Sequence, residues 1–212
     1  MPNPTDLYRA CITDVHESQA IFRCLLAALS RPGEIVHLPD TIPSRITPCL
    51  SPLMALVSHD TPFSVVGSGA DEVSDAMTRA TFGRCTPPDE AAFVAVMEGA
   101  VIDPHTLRQG TDLRPDVACQ VAVAVDGILN TNEGDDSFLF VAGPGVPGTR
   151  RVVIDAEASE LDRLAGFLAQ RIEQPPRGFD AWLIDKRGAV VGIPRTSRLR
   201  IAARRTNFSQ GA

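Results

Sequence analysis

Of the 20 basic residues in this 212-residue chain, only Lys186 is a lysine. That scarcity bears on chemistry, because a pyridoxal-phosphate enzyme needs a lysine amine, desolvated in a pocket, for its Schiff base. The one candidate falls in Asp185-Lys186-Arg187-Gly188, a turn between two apolar runs, where solvent is expected rather than a cofactor. Long hydrophobic runs are also missing. Ala118 to Val125, among the longest, is far short of the roughly 20 residues of a membrane helix. Met1 to Ala20 carries Asp6, Asp14 and Glu17 and lacks a basic start followed by an apolar core, so no signal peptide is read and a cytoplasmic location is expected. Cys11, Cys24, Cys49, Cys85 and Cys119 form no CxxC pair, and none stands at ligand spacing from His16, His37, His59 or His105. Neither a disulfide framework nor a metal site is expected, and the cysteines read as buried, reduced thiols. A net charge of −6 argues against nucleic acid, whose non-specific affinity comes from neutralised phosphates.

Catalytic signatures are equally scarce. There is no G-x-S-x-G elbow and no H-E-x-x-H helix. Gly143-Pro144-Gly145-Val146-Pro147-Gly148 follows a strand but lacks the Gly-Lys-Ser/Thr ending of a P-loop, and its prolines remove N–H donors, so a rigid turn between strands is expected. Asn130 to Asp136 is rich in oxygen ligands but misses calcium-loop spacing and reads as a hairpin loop. His59-Asp60-Thr61-Pro62 reads as a helix-ending turn.

What is present is ordinary core-forming sequence, 44% hydrophobic and 22% charged. Helices are predicted over 14–30, with Asp14 and Glu17 as a capping box and Ile21, Cys24, Leu25, Ala28 and Leu29 on one face, and from Ser51-Pro52 to about His59. Two more are predicted over 71–81 and, with Ser159 and Asp162 at box spacing, over 159–172. Strands are predicted at 62–66, 91–97, 118–125 and 138–141, and a hairpin pairs 181–184 with 189–193. An arginine-rich tail with Arg198, Arg200, Arg204 and Arg205 follows. The interleaving predicts one α/β domain, a mixed sheet flanked by helices, with its core over 14–200 and loose ends at 1–13 and 206–212.

Several segments, taken in order, resemble one family: Phe22 to Gly33, Asp60-Thr61-Pro62, Gly143-Pro144-Gly145-Val146, Gly178-Phe179-Asp180 and Ile193-Pro194-Arg195-Thr196. Together they resemble the H subunit of the bacterial carbon–phosphorus lyase system (PhnH), which degrades phosphonates. The resemblance implies a fold similar to pyridoxal-phosphate-dependent transferases without the cofactor. It also implies a homodimer within a core complex with the G, I and J subunits. That family acts with partner proteins in replacing the adenine of ATP by an alkylphosphonate, giving a ribose 1-phosphonate 5-triphosphate. No catalytic residue carries over. Arg23, Arg31, Arg195 and Thr196 are the candidates for anion binding or partner docking, since a strand-end arginine can fork a carboxylate or phosphate. Three readings stay open: an accessory subunit, a component that contacts ATP or phosphonate through arginines, and a stand-alone transferase.

Overall fold

The computed structural model describes residues 4–40, 42, 46–129, 137–171 and 175–203. Its frame is a sheet of seven strands: β1 (Ile35–His37), β2 (Pro62–Val66), β3 (Arg84–Cys85), β4 (Phe93–Val96), β5 (Gln120–Val125), β9 (Asp180–Asp185) and β10 (Ala189–Ile193). Their order is β1-β10-β9-β5-β4-β2-β3, with β3, β2, β4, β5 and β9 parallel and β10 and β1 antiparallel. A second, antiparallel sheet has the order β11-β7-β8-β6, from β6 (Gly127–Leu129), β7 (Ser137–Ala142), β8 (Thr149–Asp155) and β11 (Arg198–Ala203). The expected mixed α/β sheet is therefore present.

Side-chain alternation divides the large sheet between two cores. Phe63, Ala95, Ala122, Trp182 and Val190 face one side, and Val94, Val121, Val123, Leu183 and Val191 the other. Four helices cover the first side: α1 (Pro4–Ala10), α2 (Val15–Ser30), α3 (Ser51–Leu56) and α4 (Ala70–Thr81). The small sheet and α5 (Ala158–Ala169) cover the second, through Leu139, Val152, Ile154, Leu161 and Leu168. Covering both faces explains why the central strands read as unbroken apolar runs.

Helix α2 starts as its sequence dictates. The Asp14 carboxylate accepts from the Glu17 N–H at 2.8 Å and Glu17 accepts from the Asp14 N–H at 3.1 Å. The helix ends at Ser30, ahead of Pro32 and of Gly33 at φ 74°. Its buried face lies so close to β10 that a Cβ on Gly192 would stand 2.4 Å from the Ala28 carbonyl. The Trp182 indole N–H donates to Leu25 O at 3.2 Å, joining the same helix to β9.

Several expectations need correction. Residues 4–10 are not a loose end but helix α1, which packs on α4 and buries Leu7, Ala10 and Cys11. A seven-residue helix gains nothing from its own propensity, so only this packing accounts for it. Ser51 is not an N-cap: a 3₁₀ turn, Pro48–Leu50, runs directly into α3, and the Ser51 hydroxyl is buried without a hydrogen-bond partner. The Ser159–Asp162 box does not form either, since α5 begins after Glu157 with no side-chain cap. The arginine-rich tail is strand β11 as far as residue 203, where Leu199 turns toward the core while Arg198 and Arg200 are exposed. Strands β1, β3, β6 and β8 were not expected. Arg204, Arg205, the 206–212 end and the loop at 130–136 lie outside the described residues.

His59 and Asp60 form an exposed pair at 3.0 Å, with Asp60 at φ 62° in the turn that ends α3's connection to β2. Cys11, Cys24, Cys49 and Cys119 are buried, whereas Cys85 is exposed on edge strand β3. Burial pushes the thiols of Cys11 and Cys24 up to about 11, and those of Cys49 and Cys119 up to about 12. A thiol-reactive chromophore at pH 8 should therefore label the native protein rapidly at one site, and the other cysteines only after denaturation. Rapid labelling of two or more native thiols would contradict this burial.

Candidate functional site

Four of the segments that carry the resemblance converge on one corner. The turn Gly143–Gly148, between β7 and β8, lies between the end of α2 and the turn before β11. A Cβ on Gly145 would stand 3.0 Å from Ser30 O, and one on Gly143 would stand 3.1 Å from Thr196 O. Both glycines have positive φ, so turn conformation and close approach both require them. Arg150 donates to Arg31 O and Pro32 O, each at 3.2 Å, and pairs with Glu34 at 3.3 Å. A guanidinium here complements the carbonyls at the C-terminal end of α2.

Beneath this corner, Arg195 forks Asp180 through Nε at 3.3 Å and Nη2 at 3.0 Å. Its Nη1 donates to Pro115 O at 2.8 Å, and its backbone N–H donates to the same carboxylate at 2.7 Å. Both side chains are only 20% exposed. Arg171 is more deeply buried and donates to Leu168 O, Pro194 O and Ser197 O, tying the end of α5 to the same turn. Desolvation lowers its guanidinium to about 10, with the Asp180 charge opposing the shift, so it stays charged at neutral pH. Sequence reading missed both Arg171 and Asp180 as parts of this joint; an arginine on an apolar helix stripe was the available signal.

The four candidates therefore hold different posts. Arg195 is committed to Asp180 and Pro115. Arg31 is half-exposed and paired with Glu34 at 2.7 Å. Thr196 is exposed in the turn. Arg23 is exposed on α2, whose outward side also shows Phe22 and Leu26. The corner holds α2, the small sheet and α5 together, and its guanidinium donors are largely turned inward.

A second constellation lies at the carboxyl ends of β4, β5 and β9, the edge where open α/β sheets hold ligands. Glu98, Asp126 and Lys186 each follow one of these strands, and Lys186 Nζ sits 2.8 Å from Glu98 and 2.7 Å from Asp126. Lys186 lines a cleft of about 490 Å³ with Leu38, Pro39, Thr47 and Glu98, so its turn is not bare solvent as expected. Hydrogen bonds to Asp126 and then Glu98 hold its ammonium above the ordinary lysine range, the opposite of what a Schiff-base lysine requires. The bond from Lys186 keeps Asp126 below its usual range, while Glu160 is raised by desolvation and by the Asp126 charge. On the other side of the cluster, α5 and the loop after β4 enclose an apolar cavity of about 260 Å³. Among the described residues no group of His, Cys, Asp or Glu is placed to hold a metal ion, and no helix is long and apolar enough to cross a membrane.

Residues 10–200, which include both constellations, match the family model described as bacterial phosphonate metabolism protein (PhnH). The chain belongs to this family. A relative from Rhizobium meliloti (strain 1021), named alpha-D-ribose 1-methylphosphonate 5-triphosphate synthase subunit PhnH, is 28% identical over 210 residues, covering 94% of this chain and 98% of the relative. For this PhnH-family chain the converging glycine and arginine segments have a physical basis in the joint just described.

Replacing Arg195 by alanine is expected to cost about 2 kcal/mol, because it strips Asp180 of its forked partner in a mostly buried setting. Urea unfolding reads this directly. A variant with wild-type stability and lost phosphonate-dependent growth would instead place Arg195 in substrate contact.

Proposed function

We propose that this chain is an accessory subunit of an assembly that makes ribose 1-alkylphosphonate 5-triphosphate from ATP and an alkylphosphonate. The observation that carries the reading is the end-to-end likeness to a protein named as a subunit of ribose 1-methylphosphonate 5-triphosphate synthase. Geometry supports it. The strongest basic candidate, Arg195, is spent inside the chain, and the outer side of α2 shows Val15, Phe22 and Leu26 to solvent, with Ile12 close by in sequence. An apolar stripe of this kind is characteristic of a surface that is covered in an assembly. On this reading the protein is a cytoplasmic homodimer that docks with the G, I and J subunits. Its mixed sheet flanked by helices is then a transferase-type scaffold, related to pyridoxal-phosphate enzymes, that works without their cofactor.

Co-expression with the G, I and J subunits, followed by size exclusion with light scattering, tests this. Co-elution, and twice the 22.7 kDa chain mass when the protein is alone, are expected. Failure to co-elute counts against the subunit reading. A monomer that still co-elutes removes only the homodimer. Turnover of ATP and methylphosphonate by the isolated chain would favour a stand-alone transferase.

A second reading, direct contact with ATP or phosphonate through arginines, has its own observation. On the outer face of the small sheet, Arg151 lies 3.5 Å over the Phe138 ring and Arg200 lies 5.0 Å over Phe140. A guanidinium held over a ring is partly pre-oriented to fork an anion. If this reading holds, changing both arginines to alanine abolishes growth on phosphonate while co-elution persists.

A further inference from the structure

The cavity under α5 lies where the fold favours ligands, yet neither the family nor the relative's name assigns it a role. Its walls are Val96 and Ile102 on the β4 side, Val123 on β5, Ile154 on β8, and Leu164 and Phe167 on α5. Gly166 lines it from the C-terminal part of α5, and a Cβ there would meet no atom within 4 Å. A glycine inside a helix costs up to about 1 kcal/mol relative to alanine. No neighbouring atom requires a glycine there, and its lack of a side chain leaves the space beside it open. That is a different situation from Gly192, where contact forces the residue.

The charged groups around the mouth decide what could enter. Glu160 and Arg163 line the cavity, and Glu160 interacts with Asp126, Glu98 and Lys186 beside it. Three carboxyl groups thus stand against two cations. A phosphate or phosphonate would meet net negative charge there, with Arg163 as the one cation among the described wall residues and Gln170 as a neutral donor. A neutral or cationic head would instead find the Glu160 oxygens, while its apolar body filled the walls.

We propose that this cavity is a binding site for a compact aromatic or aliphatic molecule that presents an amine, or a comparable hydrogen-bond donor, to Glu160. It would therefore be a site separate from any that takes the anionic substrate, and it stands whether or not the chain assembles with partner subunits.

Two probes with the same apolar body and opposite heads test it on the full chain: phenethylamine and 3-phenylpropionate, titrated by calorimetry and ligand-observed NMR. Phenethylamine should bind saturably and the carboxylate at least about tenfold more weakly, because its head carries the same charge as the carboxyl groups around Glu160. Gly166→Leu should fill the cavity, raise the thermal midpoint and remove phenethylamine binding. Glu160→Gln, a change at a partly exposed position, should bring the two probes to similar affinity. Absence of saturable phenethylamine binding, equal or tighter binding of phenylpropionate to the wild type, or undiminished binding by a folded Gly166→Leu protein would each overturn the proposal.

Discussion

Gly192→Ala is expected to cost about 4 kcal/mol or more, among the largest effects a single methyl can have. The new Cβ would lie 2.4 Å from both the carbonyl carbon and oxygen of Ala28 and 2.6 Å from the Leu29 nitrogen. These are backbone atoms in the last turns of α2, held by the helix's own hydrogen bonds, so no rotamer change relieves the overlap. The helix must lift from β10, which also strains the bond from Trp182 to Leu25 O and opens the core around Leu25 and Val190. At about 2–4 °C per kcal/mol for a chain of this size, the thermal midpoint should fall on the order of 10 °C. The same chemical change at Gly166 should do the reverse, stabilising by about 0.5–1 kcal/mol through helix propensity alone. Parallel thermal melts of the two variants check both signs, and a Gly192→Ala protein as stable as the wild type would show that α2 does not lie against β10 at this distance.

Asp185→Ala should cost about 3 kcal/mol, since it removes the acceptor of three backbone N–H groups, two of them in buried bonds. One carboxylate oxygen accepts from Arg187 and Ala189 at 2.8 Å each, closing the β9–β10 turn, and the other accepts from Ile128 at 3.1 Å. Asp185 is 3% exposed, so water does not readily replace it. The Ile128 bond ties β6, an edge strand of the small sheet, to the end of β9 in the large one. Hydrogen exchange should therefore speed up at Ile128, Arg187 and Ala189 before it does in β5. Asn at this position retains one acceptor oxygen and should lose about half as much. Uniform protection in the alanine variant would mean that this carboxylate does not join the sheets.

The elements that sequence defined well are those whose signals are local. The Asp14–Glu17 box, the Pro32-Gly33 stop, the Asp185–Gly188 hairpin and the apolar strands at β2, β4 and β5 all depend on neighbours in the chain. The short edge strands β1 and β3 were missed because two or three residues carry no period, and β8 because Arg150 and Arg151 mask its alternation. The capping boxes show the limit of the local rule. Asp14 formed its box, whereas Ser51 had a 3₁₀ turn running into it and Ser159 fell inside the helix.

For the site, sequence named arginines and the fold decided their use. Arg195 could be recognised as a strand-end arginine, but whether it met a ligand or an internal carboxylate depended on Asp180, fifteen residues away, and on Pro115, eighty away. Lys186 was legible as a turn lysine. Its two carboxylate partners come from the ends of β4 and β5, which only parallel strand order brings beside it. By itself the sequence determined the α/β class, most of the elements and, through ordered segments, the family. Only the tertiary structure decided which charges pair, which glycine is forced by contact and which leaves a cavity, because those outcomes depend on distances between residues far apart in the chain.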